Sequence, residues 1–269
     1  MGEANFVVAS RIRMNPPKET HLTPPNGGRF DAVIFDMGGT LIEFENVPWD
    51  DLYPASLRSL LRFLKSEGIK VPSYDAFLER FFVLLERRRA RGRAEMREYH
   101  ITPLVRELMT AFKIELAPDQ VVKAVDVYYG PIRKNLTVFP EANHTLATLR
   151  ESGYAIGLLS NTPFRVRDHR QDLVRFGLWD HFDATLFSST MKFRKPHPEP
   201  FKVICKRLGV SPRRSLYIGD RQFEDVQGPH SVGMTACLIR RNGKPYQPGL
   251  TKSAEIWSLD ELVELLPRR

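Results

Sequence analysis

The folded part of the chain opens on an uninterrupted apolar run, Ala32-Val33-Ile34-Phe35, that stops at Asp36. Four apolar positions in a row, without alternation, predict a strand covered on both faces. The period then changes. Leu57, Leu60, Leu61 and Leu64 recur at one-face helical spacing, and Phe77, Phe81, Leu84 and Leu85 repeat the pattern on a second segment. Further helices are expected near 101–112 and 118–129. A helix over 141–151 precedes the next strand signal, at 154–159. Strands near 184–187, 215–218 and 235–239 then alternate with helices near 168–176, 199–208 and 258–265. Such alternation predicts an α/β fold, a Rossmann-like parallel sheet with helices on both faces. Residues 1–29 carry Pro16, Pro17, Pro24, Pro25, Gly27 and Gly28 without periodicity and read as a flexible N-terminal tail. The expected organisation is that tail, a core of 30–46 and 135–269, and an all-helical cap over 47–134 inserted after the first strand.

Composition changes this picture little. A chain of 269 residues can bury a core domain and a smaller one. No apolar stretch approaches the roughly 18 to 20 residues needed to cross a bilayer. The apolar segment Phe6-Val7-Val8-Ala9 is too short for a signal peptide, so a cytoplasmic protein without a membrane partner is expected. Cys205 and Cys237 lie in apolar stretches and are expected to be buried thiols. The net charge of +8 is partly local: Arg87, Arg88, Arg89, Arg91, Arg93 and Arg97 face only Glu95 in the same segment. No aromatic residue is interleaved to stack on bases, so a solvated helix end is expected rather than a nucleic-acid partner. If the cluster acts, attraction of an anionic substrate suits the remaining chain better.

Four polar segments follow expected strands or precede expected helices, where open parallel sheets bind ligands. They are Asp36-Met37-Gly38-Gly39-Thr40, Ser160-Asn161-Thr162, Arg194-Lys195-Pro196-His197-Pro198-Glu199-Pro200-Phe201, and Gly219-Asp220-Arg221-Gln222-Phe223-Glu224-Asp225. Singly, each has an ordinary explanation. Ser-Asn-Thr is common turn chemistry, an isolated lysine is solvated, and aspartates in strand-to-helix loops cap helices. Together they supply a carboxylate, hydroxyl and backbone donors, an ammonium group and further carboxylates, a set suited to phosphate and a hard cation.

In this order the four segments resemble the motifs of the haloacid dehalogenase superfamily, over residues 31 to 239. The resemblance implies a Rossmann-like core with a helical cap between the first and second motifs. It further implies a Mg²⁺-dependent hydrolase of small phosphorylated metabolites. Asp36 would be the nucleophile that becomes an aspartyl-phosphate, and Lys195 would bridge it and the phosphate. Gly39, Thr40, Ser160 and Asn161 would complete the substrate site. Metal ligands would be Asp36, the backbone carbonyl of Gly38 and Asp220, with Asp225 auxiliary. His197 stands where the family usually has aspartate and reads as a turn residue.

One position departs from the pattern. Phosphatases of this superfamily usually carry a second aspartate two residues after the nucleophile, as acid and base; here that residue is Gly38. General acid–base groups contribute about 10² to 10⁴ in rate. Glu43, Glu45 and His100 are candidate substitutes. Phosphonoacetaldehyde hydrolases resemble the chain in having a small residue there, and their cap lysine would correspond to Lys65 or Lys70. Dehalogenases also lack the second aspartate, but they generally lack an acid at the Asp220 position. A phosphate-binding protein without turnover is a further alternative, which retention of the attacking carboxylate argues against.

Overall fold

The computed structural model describes residues 22–25, 27–44, 47–241, 247–251 and 253–267. In chain order, β1 (Ala32–Phe35) and β2 (Ile42–Glu43) precede four helices, α1 (Trp49–Ser66), α2 (Tyr74–Glu95), α3 (Ile101–Ala111) and α4 (Pro118–Lys134). There follow β3 (Thr137–Val138), α5 (Ala142–Glu151), β4 (Ala155–Ser160), α6 (Val166–Arg175), β5 (Ala184–Phe187) and α7 (Pro198–Leu208). The remainder is β6 (Ser215–Gly219), the short α8 (Gly228–His230), β7 (Thr235–Ile239), β8 (Ala254–Ile256) and α9 (Leu259–Leu265).

Six strands form one sheet in the order β5-β4-β1-β6-β7-β8, every neighbouring pair parallel. The α/β class expected from the alternation is the class observed. The continuous apolar runs are explained by the two-sided burial of parallel strands. Val33 and Phe35 face one apolar cluster while Ile34 faces another; Leu158 and Ile218 join the first, Leu159 and Tyr217 the second. β2 and β3 form a small antiparallel pair that carries the chain out to the helices and back. Along that excursion α1 packs on α4 and α2 on α3, and Leu57, Leu60, Phe81 and Leu84 are buried as their spacing required.

Three elements escaped the pattern. β2 and β3 are two residues each, too short for periodicity, and β8 is a three-residue edge strand. α4 runs five residues past the expected end at Tyr129, through Pro131. Within the segment read as a tail, residues 1–21 and 26 lie outside the described residues, but Leu22 is buried in the core, and the Thr235 hydroxyl donates to the Thr23 carbonyl. Both cysteines are buried free thiols. Among the described residues, no helix is long and apolar enough to cross a membrane.

Candidate active site

Asp36 is the first residue beyond β1, the central strand, and its backbone N–H donates to the Ile218 carbonyl of β6. That bond extends the ladder one residue and fixes the carboxylate at the sheet's carboxyl edge. The chain then reverses: Leu41 and Ile42 donate to the Met37 carbonyl, and Gly39 donates to the Ile42 carbonyl. Gly39 has φ of +73°, and a Cβ there would fall 2.5 Å from Oδ2 of Asp220. Glycine is therefore required twice, for the left-handed backbone and for the close approach of a carboxylate.

Lys195 is the electrostatic centre. Only 2 % exposed, it places Nζ 3.0 Å from Oδ1 of Asp36 and donates to Oδ1 of Asp225 at 2.7 Å and to the Tyr217 hydroxyl at 2.8 Å. Tyr217 passes its own proton to the Leu159 carbonyl at 2.8 Å, which leaves its lone pairs for the ammonium. Burial disfavours the lysine's charge, but Asp225 and Asp36 outweigh it and raise its pKa. Asp225 is fully buried; its second oxygen accepts the Arg221 N–H, and it packs so close to Gly219 that a Cβ would overlap its carboxyl group.

Asp36, Asp220 and Asp225 present oxygens within 4.8 Å of one another. Burial, then repulsion from Asp225 and Asp36, raises the pKa of Asp220. Oδ1 of Asp220 is buried without a hydrogen-bond partner. Lys195 and the neighbouring Arg221 against three carboxylates still leave an excess of negative charge, and an orphaned carboxylate oxygen facing two more suits a hard divalent cation. The residues present thus fit Mg²⁺.

A cavity of about 630 Å³ opens over this cluster. Asp36, Gly38, Gly39, Ser160, Asn161, Lys195 and Asp220 all line it, so most of the residues expected at the substrate and metal meet in one place. Asp225, fully buried behind Lys195, does not line it, and neither does Thr40. Thr40 is fully buried and its hydroxyl has no partner; its carbonyl accepts from Arg241 instead. Asn161 has a different task from the one expected. Its carboxamide takes the Lys195 N–H at 2.9 Å and donates to the Lys195 carbonyl at 2.9 Å, clamping the lysine's backbone.

Of the candidate substitutes for the missing aspartate, Glu43 lines the cavity, His100 does not, and Glu45 lies outside the described residues. Lys65 and Lys70 are exposed, and neither lines the cavity, which removes the basis for an imine mechanism. The arginine cluster divides rather than forming one solvated end. Arg87 and Arg88 pair with Glu107, and Arg91 pairs with Glu95, whereas Arg89 and Arg93 line the cavity. Arg89 donates to the Tyr53 hydroxyl at 2.6 Å and pairs with Glu86.

Three contributors were not foreseen: Tyr217, Phe44 and Glu98. Tyr217 was findable, since alternation along β6 puts it on the Ile34 face. Glu98 has no local signal. It sits between α2 and α3, and it meets Arg194 at 3.2 Å and accepts from the Ser188 hydroxyl at 2.8 Å, tying the helical segment to the sheet domain. Burial raises its pKa, opposed by Arg194 and Ser188.

Residues 30–233 match the model of the haloacid dehalogenase-like hydrolases. A glyceraldehyde 3-phosphate phosphatase of Methanopyrus kandleri is 28 % identical over 210 residues, 78 % of this chain and 84 % of that one. A phosphoglycolate phosphatase of Haemophilus influenzae is 32 % identical over 149 residues, 55 % of this chain and 64 % of the relative's length. Among solved structures, a HAD phosphatase of Thermococcus onnurineus superimposes with a TM-score of 0.62 at 29 % identity, covering 89 % of this chain and 99 % of that one. With the motif-bearing strand ends converging on one cavity and three quarters of the length inside the family model, the chain belongs to the haloacid dehalogenase-like hydrolases.

Proposed function

We propose that the protein is a cytoplasmic, Mg²⁺-dependent hydrolase of small phosphorylated metabolites that acts through an aspartyl-phosphate on Asp36. The observation that carries this reading is the buried Lys195 ammonium held between Asp36 and Asp225 beside the orphaned oxygen of Asp220. A structural salt bridge has no use for a third carboxylate with an oxygen left without a hydrogen bond at a cavity. An anionic nucleophile attacks an anionic phosphate only where fixed positive charge offsets their repulsion. Lys195 offers that charge from the protein side. Asp36, the Gly38 carbonyl and Asp220 would hold Mg²⁺, with Asp225 auxiliary, and the ion when bound would neutralise phosphate oxygens as a Lewis acid. Ser160 and the backbone around Gly39 would receive phosphate oxygens, while Asn161 fixes the lysine that meets them.

The names of the relatives, phosphatases of phosphoglycolate and of glyceraldehyde 3-phosphate, support small phosphorylated compounds as the substrate class. The helices over the cavity act as its lid and set specificity. The test is phosphate release from a phosphomonoester and acetyl phosphate panel with Mg²⁺. Asp36→Asn should abolish release while the circular dichroism spectrum stays native; undiminished release would sink the assignment.

A further inference from the structure

The loop that carries the nucleophile offers no side chain able to give up a proton. Met37, Gly38 and Gly39, the residues that follow Asp36, have no ionisable side chain. Beside Gly38 the space is already taken: a Cβ there would come 3.2 Å from Cδ2 and 3.5 Å from Cε2 of Phe44, whose ring lines the cavity. At 3.2 Å the ring must give by a few tenths of an ångström, so an acidic side chain at position 38 competes with Phe44 for the same space. Lys195 directs its ammonium at Asp36, Asp225 and Tyr217, and the two carboxylates hold its proton in place. Glu98, the buried carboxylate on the helical side, has both oxygens engaged, Oε2 by the Ser188 hydroxyl and Oε1 by Arg194.

We infer that Phe44 closes the place of a general acid beside Gly38, and that the protein is therefore selective for phosphoryl compounds whose leaving group departs as a stable anion, with acyl phosphates as the substrate class. The inference rests on the phosphohydrolase reading above. In the first step an Asp36 carboxylate oxygen bonds to phosphorus and the bond from phosphorus to the acyl oxygen breaks. The electron pair leaves with a carboxylate, and no proton is transferred. In the second, the oxygen of a water molecule bonds to phosphorus, the bond to Asp36 breaks, and the carboxylate is regenerated. The released inorganic phosphate keeps one proton of that water and the other goes to solvent. A carboxylate of pKa about 4 is stable as it leaves, whereas an alkoxide forgoes the roughly 10² to 10⁴ that a general acid supplies.

The experiment measures kcat/KM with Mg²⁺ for acetyl phosphate, a series of aryl phosphates of graded leaving-group pKa and an alkyl phosphate. The proteins compared are wild type, Gly38→Asp, the double variant Gly38→Asp/Phe44→Ala, Glu43→Gln, Glu224→Gln and Asp36→Asn. Wild type should fall steeply as leaving-group pKa rises. Gly38→Asp alone should gain nothing on the alkyl phosphate, because the ring still stands in the way. The double variant should gain about 10²-fold on the alkyl phosphate while acetyl phosphate changes by no more than about threefold. Glu43→Gln and Glu224→Gln, at the other two glutamates that line the cavity, should leave the slope unchanged. A flat wild-type slope, or a slope that steepens in Glu43→Gln or Glu224→Gln, overturns the inference even if the double variant does not fold. Turnover retained in Asp36→Asn, or none by wild type on any substrate, overturns the phosphohydrolase reading itself.

Discussion

Replacement of His169 tests how the junction between helices and sheet is built. The imidazole is 1 % exposed and lies among Phe44, Tyr129, Phe164 and Phe187, stacked on Phe187 with centroids 5.3 Å apart. Nε2 meets the Thr162 hydroxyl at 2.6 Å, and Nδ1 has no partner. Burial, helped by Arg133, lowers its pKa from 6.5 to about 3. The folded state therefore holds a neutral ring, while the unfolded chain takes up a proton below its ordinary pKa of 6.5. The contribution to stability is complete above that value and is lost as pH falls through it toward 3. Integrated from about pH 8 to pH 5, the loss is RT ln(1 + 10^1.5), about 2 kcal/mol. In His169→Gln the amide keeps a group for Thr162 but does not titrate. Urea unfolding at several pH values should show wild type losing about 2 kcal/mol more than the variant over that interval. Taking the difference between the two proteins removes the carboxylates that titrate in the same range. Curves that stay parallel to within about 0.5 kcal/mol would refute a buried neutral imidazole.

Asp220→Asn should raise the melting temperature of the metal-free protein, because it relieves repulsion among buried carboxylates, and should abolish the further rise that Mg²⁺ gives wild type. A metal-free melting temperature that falls, or a Mg²⁺ response that survives, would contradict the assigned electrostatics. Asn161→Ala should lower kcat well beyond any change in KM, since it frees the backbone that aims Lys195. Losing both hydrogen bonds should cost about 1 to 3 kcal/mol in unfolding free energy. An unchanged kcat in a destabilised protein would leave Asn161 with a purely structural role.

The sheet was legible because parallel strands are buried on both faces, so Ala32–Phe35 and Thr235–Ile239 read as continuous apolar runs without help from their neighbours. The site was legible for a related reason: the polar residue that ends such a run lies at the sheet's carboxyl edge, and Asp36, Ser160 and Asp220 each follow or end one. Side chains acting at a distance were not. The clamp of Asn161 on Lys195 spans 34 positions and the bond of Ser188 to Glu98 spans 90. Thr40 shows the opposite failure: proximity to the nucleophile in sequence suggested contact with substrate, but the reversal at Gly39 buries it behind the loop. Phe44 lay outside any motif, because the space it fills is defined by an absent side chain.

The double attachment of the stretch around Lys195 has a mechanical consequence. On one side Arg194 is joined to the helical segment, through its side chain to Glu98 and through its N–H to the Met96 carbonyl. On the other, Lys195 is gripped by Asn161, which belongs to the sheet domain. Swinging the helices away strips Arg194 of both partners but leaves the grip on its neighbour intact. For the lid proposed above, travel and aim of the ammonium would thereby be decoupled: the enclosure would gape and shut over successive ligands while the charge that meets them stays in register with Asp36.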